Sequence, residues 1–133
     1  MKIQTYQLEV KDSIFDPQMM GAKTTEKTAY YRKFASRSDK TFYKVWIYLD
    51  GPDLPFVKQV KYTLHKTFRD PVKRVERKSN NPFCALVIWT WGIFEVKVEA
   101  EDMNGRIIHL THFLSYNEQF KQKEIKWLEK PVS

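Results

Sequence analysis

Phe94-Glu95-Val96-Lys97-Val98-Glu99-Ala100 sets Phe94, Val96, Val98 and Ala100 at every second position, with charged residues between them. Side chains of a strand point alternately to opposite faces, so this stretch is a half-buried antiparallel strand, one face on a core and one in water. The same alternation sets Val60, Tyr62 and Leu64 against Lys61, Thr63 and His65. Further on it places Ile108, Leu110 and Leu114 on one side of a strand opening at Arg106. Between the last two runs, Asn104-Gly105 joins two residues that tolerate positive φ, the signal of a hairpin turn. Residues 43–49 are apolar or aromatic on both sides except at Lys44, as a central strand covered on two faces would be. Short strands separated by Gly, Pro and Asn predict an all-β sandwich.

The ends are less regular. Residues 3–10 predict a first strand, 13–27 a loop containing Asp16-Pro17 and Gly21, and 28–35 a second, aromatic-rich strand. From Asn117 the spacing of Phe120, Glu124, Trp127 and Leu128 admits a short C-terminal helix capped by Asn117 and stopped by Pro131. An irregular last strand is the alternative.

A length of 133 residues suits one domain spanning 1–133, and the sequence contains no internal repeat or linker-like tract. The longest apolar run, Phe83 to Trp89, has seven residues. About 20 are needed to cross a bilayer, and the Met1 region has no apolar signal core, so no membrane association is expected. Cys84 is the single cysteine; it cannot form an internal disulfide and reads as a core filler within that apolar run.

Two segments ending in Phe carry the functional signal. Tyr62-Thr63-Leu64-His65-Lys66-Thr67-Phe68 and Thr90-Trp91-Gly92-Ile93-Phe94 place a hydroxyl, an imidazole and aromatic rings at strand ends. Strand ends at one pole of a sandwich converge, so His65, Thr67 and Phe68 can meet Trp91 and Phe94 in an open aromatic slot. The plainer alternative makes Phe68 and Phe94 core residues, His65 a partner of a loop carbonyl, and Trp91-Gly92 a sharp bend.

With the lead-in Val45-Trp46-Ile47-Tyr48-Leu49-Asp50-Gly51-Pro52, this order of motifs resembles the YEATS family of binding modules over about residues 43–115. The resemblance implies an immunoglobulin-like antiparallel β-sandwich whose slot clamps an acylated lysine side chain between aromatic rings. Acylation removes the lysine charge and leaves a planar amide that stacks on rings and has one donor and one acceptor to satisfy. By resemblance, Thr67 Oγ would accept from the amide N–H and the Trp91 backbone N–H would donate to the acyl oxygen. Trp91 and Phe68 would supply the faces, His65 would wall the slot, Phe42 or Tyr43 would close it, and Thr90, Gly92 and Phe94 would frame it.

The chain departs from the family pattern in two places. Thr90 stands where many members have Gly; being β-branched, it should be extended, tilt Trp91 and narrow the slot, which Thr90→Gly would widen. Acidic residues that pair with histone-tail arginine in eukaryotic members fall in the strand aligned with residues 107–113, which here holds His109, Leu110 and Thr111. A net charge of +7 also repels a basic tail. The chain thus resembles a prokaryotic-type YEATS domain, which implies a cytoplasmic sensing or signalling module with a protein or peptide partner (nuclear, were the source eukaryotic) rather than a chromatin reader.

Arg69, Lys73, Arg74, Arg77 and Lys78 form a second feature, a basic loop that could receive nucleic acid or an acidic partner. The simpler reading is a solvated edge strand protected by its charges. Catalysis finds no Gly-rich phosphate loop, metal-ligand spacing or nucleophile-base motif, so a binding module without metal or cofactor is expected, not an enzyme. His109 and His112 point to opposite faces of one strand, and His112 should be a satisfied core imidazole. Glu101-Asp102 reads as a solvated turn. An outward aromatic patch of Tyr30, Phe34, Trp46 and Tyr48, covered by a partner, is a third possibility.

Overall fold

The computed structural model describes residues 7–19, 27–33, 40–122 and 124–130. Among them the strands are β1 (Glu9–Ser13), β2 (Lys27–Lys33), β3 (Thr41–Asp50), β4 (Val57–Thr63), β5 (Val72–Glu76), β6 (Leu86–Thr90), β7 (Glu95–Asp102), β8 (Ile107–Phe113) and β9 (Ile125–Glu129). β3 organises the first sheet. One of its edges pairs with β6, from Tyr43 to Ile47. The other is divided end to end between β1, opposite residues 46–50, and β2, opposite residues 41–43. β9 continues beyond β2 in parallel, so this sheet is mixed rather than wholly antiparallel. The second sheet is antiparallel in the order β5-β4-β7-β8.

The all-β sandwich expected from alternation is present. Val45, Ile47, Leu49 and Ile88 from the first sheet pack in one core with Val60, Tyr62, Val96, Val98 and Ala100 from the second. Burying each large aliphatic side chain contributes about 1.5–3 kcal/mol. Tyr62 is tolerated there because its hydroxyl donates to the Cys84 carbonyl at 2.6 Å. Burial holds that phenol well above its ordinary range and pushes the Cys84 thiol up to about 11. Cys84 is core, as expected. Gly51, with φ +125°, lies under the incoming chain, and a Cβ there would meet the Gln7 carbonyl oxygen at 2.4 Å. Only glycine fits.

Asp12 pins the two sheets together. Its fully buried carboxylate stands 2.6 Å from His112 Nε2 and accepts the backbone N–H groups of Ser115 and Tyr116 at 2.9 and 2.7 Å. His112 therefore has the satisfied inner position read from its spacing, while His109 faces outward toward Glu99. Asn104-Gly105 is the predicted hairpin turn, with Gly105 at φ 83°. Asp102 is buried rather than solvated, and accepts from the N–H groups of Asn104 and Arg106.

Several expectations are corrected. The first described strand runs from Glu9 to Ser13, so it extends past residue 10 and takes Ser13 from the expected loop; residues 3–6 lie outside the described set. The tail is a 3₁₀ turn over Tyr116–Lys121 followed by β9, not an α-helix. Gln122 is already extended and Glu124 takes φ 69°, so the helical path stops there and the chain turns into the sheet. Trp46 and Tyr48 are buried, and the Tyr30 ring lies near two lysine ammonium groups, so no bare aromatic patch forms; Phe34 lies outside the described residues.

Candidate functional site

Leu64 anchors the end of β4 in the core, and its N–H donates to the Pro71 carbonyl at 2.7 Å. The chain between them leaves the sheet and folds tightly, the Phe68 N–H donating to the His65 carbonyl at 3.0 Å. Phe94 lies directly before β7, which pairs with β4 through Thr63 and Lys97. That register brings the two Phe-ending motifs together. The Phe94 ring centre is 5.4 Å from that of Phe68 and 6.0 Å from that of His65, in tilted packing.

His65 Nδ1 lies 3.3 Å from the Thr67 backbone nitrogen, which donates to it, and 2.9 Å from Thr67 Oγ1. An Nδ1 that accepts the backbone N–H cannot also donate to the hydroxyl, so the neutral ring carries its proton on Nε2 and the Thr67 hydroxyl donates to Nδ1. The lone pairs of Thr67 Oγ1 are then left to accept an N–H from outside. Both side chains are exposed.

Thr90, Trp91 and Gly92 form one turn at the end of β6. Thr90 is extended and buried, opposite Tyr43 in the β3–β6 ladder. Its hydroxyl accepts the Gly92 N–H at 3.3 Å and donates to the Gly92 carbonyl at 3.2 Å. The same carbonyl accepts the Tyr116 hydroxyl at 2.8 Å. Gly92 has open space where a Cβ would project. Trp91 is 55% exposed, an unusual placement for the largest side chain. Only Gly92 and Ile93 separate it from Phe94, which limits the Cα separation to about 10 Å.

Phe42 precedes Tyr43, so its strand segment runs beside this turn. Lys40, two residues earlier, holds its Nζ 3.6 Å from the centre of the Trp91 ring. Tyr43 itself turns away into a cluster with Tyr116, Phe120 and Trp127. His65, Thr67, Phe68 and Phe94 are thus in one group. Thr90, Trp91 and Gly92 form the adjoining turn, flanked by the segment that carries Phe42.

The basic run does not gather into one patch. β5 is an edge strand, and Lys73 and Arg74 pair with Tyr62 and Lys61, on opposite faces of the sheet. Arg77 is a structural clamp, donating to the Pro55 and Val57 carbonyls at 2.8 Å each. Lys78 lies 3.9 Å from Glu76, and Arg69 is exposed in the turn after Phe68. Sequence reading missed Lys40, Asp12 and Tyr116. Each acts on residues distant in the chain, and a lone Lys, Asp or Tyr carries no spacing signal. Among the described residues no cluster of His, Cys, Asp or Glu has the makings of a metal site.

The family model for the prokaryotic YEATS domain matches residues 43–115. No curated protein matches the chain. Among solved structures, the Yaf9 YEATS domain recognizing an H3K122suc peptide is similar at a TM-score of 0.49 and 16% identity, covering 86% of this chain and 78% of that one. The Yaf9 YEATS domain bound to H3K27ac is similar at a TM-score of 0.47 and 18% identity, covering 86% and 77%. The matched span holds both Phe-ending motifs and more than half of the sequence, and the chain belongs to the prokaryotic YEATS domain family.

Proposed function

We propose that this chain is a non-enzymatic binding module whose slot between the His65–Phe68 turn and the Trp91–Gly92 turn takes an acylated lysine, or a similarly flat uncharged group, of a protein or peptide partner. The observation that carries this reading is the arrangement at His65 and Thr67, which leaves Thr67 Oγ1 an open acceptor beside the Phe68–Phe94 pair. A planar amide needs such an acceptor for its N–H and an aromatic face for its plane; Trp91 supplies an exposed ring, and the Trp91 N–H is assigned to the acyl oxygen.

Lys40 favours a neutral guest. An unmodified lysine approaching Trp91 would bring a second ammonium to a ring already occupied by one, whereas an acylated lysine carries no charge to repel. The charge of +7 likewise disfavours basic histone tails, and we assign the module to prokaryotic cytoplasmic signalling rather than chromatin reading. The basic run at residues 69–78 supplies no competing surface, because its cations are divided between two faces and Arg77 serves the fold.

Calorimetric titration with an acyllysine peptide and its unmodified counterpart tests the proposal. Binding of the acylated peptide alone, weak for histone-type sequences and abolished by Trp91→Ala, is the expected result. Equal binding of both peptides, or acyl binding that survives Trp91→Ala, would overturn it.

A further inference from the structure

The core-averted face of the first sheet is a second surface. Strand register places Tyr30 and Arg32 of β2, Lys44 and Trp46 of β3, Trp89 of β6 and Lys126 and Leu128 of β9 on that side. Cations and rings interleave across it. The Arg32 guanidinium carbon lies 3.9 Å from the Trp89 ring centre. Lys44 Nζ lies 4.9 Å from the Trp46 centre and 5.1 Å from that of Tyr30, and Lys130 Nζ lies 5.0 Å from the same Tyr30 ring.

Among the described residues none of these cations forms a salt bridge, and Asp16 is the one carboxylate acting on Lys44. The outer positions of β2, β6 and β9 bear no carboxylate; those of β1 and β3 bear Glu9 and Asp50 at the far end, 3.9 and 2.8 Å from Lys11. Arg32 has no hydrogen-bond partner for its buried Nε among the described residues. Burial and then repulsion from Lys130 hold the Lys44 ammonium below its ordinary range, Asp16 opposing and Arg32 adding to the effect. A group of cations that outnumbers its nearby carboxylates costs free energy that an external anion would relieve.

We propose that this face binds single-stranded nucleic acid, with phosphates on Lys44, Lys126 and Lys130 and a base stacked on the Arg32 guanidinium that Trp89 supports from beneath. The planar Arg32–Trp89 stack favours this partner over an acidic peptide, which has charge but no flat group to lay on a guanidinium plane.

The test is fluorescence anisotropy of the full chain with a labelled oligothymidylate of about 20 nucleotides. Binding should weaken with salt, log K falling by about 2 to 3 for each tenfold rise if three to four phosphates are neutralised. Lys44→Gln with Lys130→Gln should weaken it at least about tenfold and flatten the salt slope. Arg32→Lys, which keeps the charge and loses the plane, should weaken binding about threefold or more with the slope unchanged. Trp91→Ala should leave it intact, keeping this surface distinct from the slot. Because Lys44 is partly buried, far-ultraviolet circular dichroism checks the fold of each variant, and Lys130→Gln alone, at an exposed position, should still reduce affinity. Equal loss from Lys73→Gln with Arg74→Gln at the β5 edge would overturn the proposal, as would tighter binding of duplex DNA, polyglutamate binding as well as the oligonucleotide, or absence of binding at low salt.

Discussion

The Tyr116 hydroxyl donates to the Gly92 carbonyl at 2.8 Å, which ties the Trp91 turn to the segment that leads into the last strand. The Asp12 carboxylate in turn holds the Tyr116 N–H at 2.7 Å. The turn that carries an exposed indole is thereby tied from beneath by two buried groups distant from it in sequence.

Tyr116→Phe keeps the packed ring and removes the donor, while Thr90 still serves the Gly92 carbonyl. We expect a loss of about 1 kcal/mol in urea unfolding and a red-shifted Trp91 emission as the turn loosens. Unchanged stability and emission would show that the Thr90 bonds alone fix the turn.

Thr90→Gly should also destabilise, by about 1–2 kcal/mol, because glycine brings backbone freedom to an extended position and leaves the Gly92 N–H without its side-chain acceptor. The residue is buried and adopts no conformation that glycine alone permits. A rise in the denaturation midpoint would contradict this account.

Lys40→Gln removes the ammonium from the Trp91 ring. If Lys40 competes with a guest for that face, acyllysine peptide should bind about two- to fivefold more tightly, the worth of one exposed cation–π contact. Weaker binding would mean that Lys40 helps hold the guest.

Asp12→Ala strips the acceptor from two backbone N–H groups and from His112 at once, inside a buried pocket. A loss of about 3–5 kcal/mol is expected, with Asp12→Asn milder because its amide oxygen still accepts. Equilibrium denaturation decides it; a change below about 1 kcal/mol would mean that water replaces the carboxylate.

Alkaline pH should unfold the chain through its buried neutral acids. Burial pushes Cys84 from 9.0 to about 11, with Arg77 opposing. Burial, then Tyr43 and Asp12, push Tyr116 from 10.0 to about 12. Folding favours the protonated form of each, so their stabilisation is intact below pH 9 and is lost as pH rises through the raised values. Two units correspond to about 2–3 kcal/mol per group. Cys84→Ala should remove the part of the decline that begins near pH 9 and leave the later part; an unaltered profile would exclude Cys84 as a source.

The sheet that carries alternation was legible from residues alone. Val96, Val98 and Ala100 show it, because one face of β7 meets the core and the other water, and Asn104-Gly105 marks its turn. β9 was legible only as the alternative to a helix, since it lies at a sheet edge with nearly all its residues exposed and pairs in parallel with a strand about a hundred residues earlier. In the candidate site, the motifs at residues 65–68 and 90–94 could be found because each is contiguous. Lys40, Asp12 and Tyr116 could not, since what brings them to the site is the division of the β3 edge and the turn after β8, which no local pattern encodes. The basic run includes the charged edge strand of its simpler reading, and Lys73 and Arg74 there point to opposite faces.

The span that matches the family begins inside β3 and stops one residue short of Tyr116. Cut out at those limits, it would lose β1, β2 and β9 together with both Asp12 and the phenol that steadies Gly92, and would expose an entire flank of β3 as unpaired N–H and C=O groups beside Val45, Ile47 and Leu49. Such a flank recruits strands from other molecules. The limits within which a sequence is recognisable are here narrower than the limits within which it folds, so an expression fragment trimmed to the recognisable part should be recovered as aggregate, and clones meant for binding work need the flanking residues on both sides.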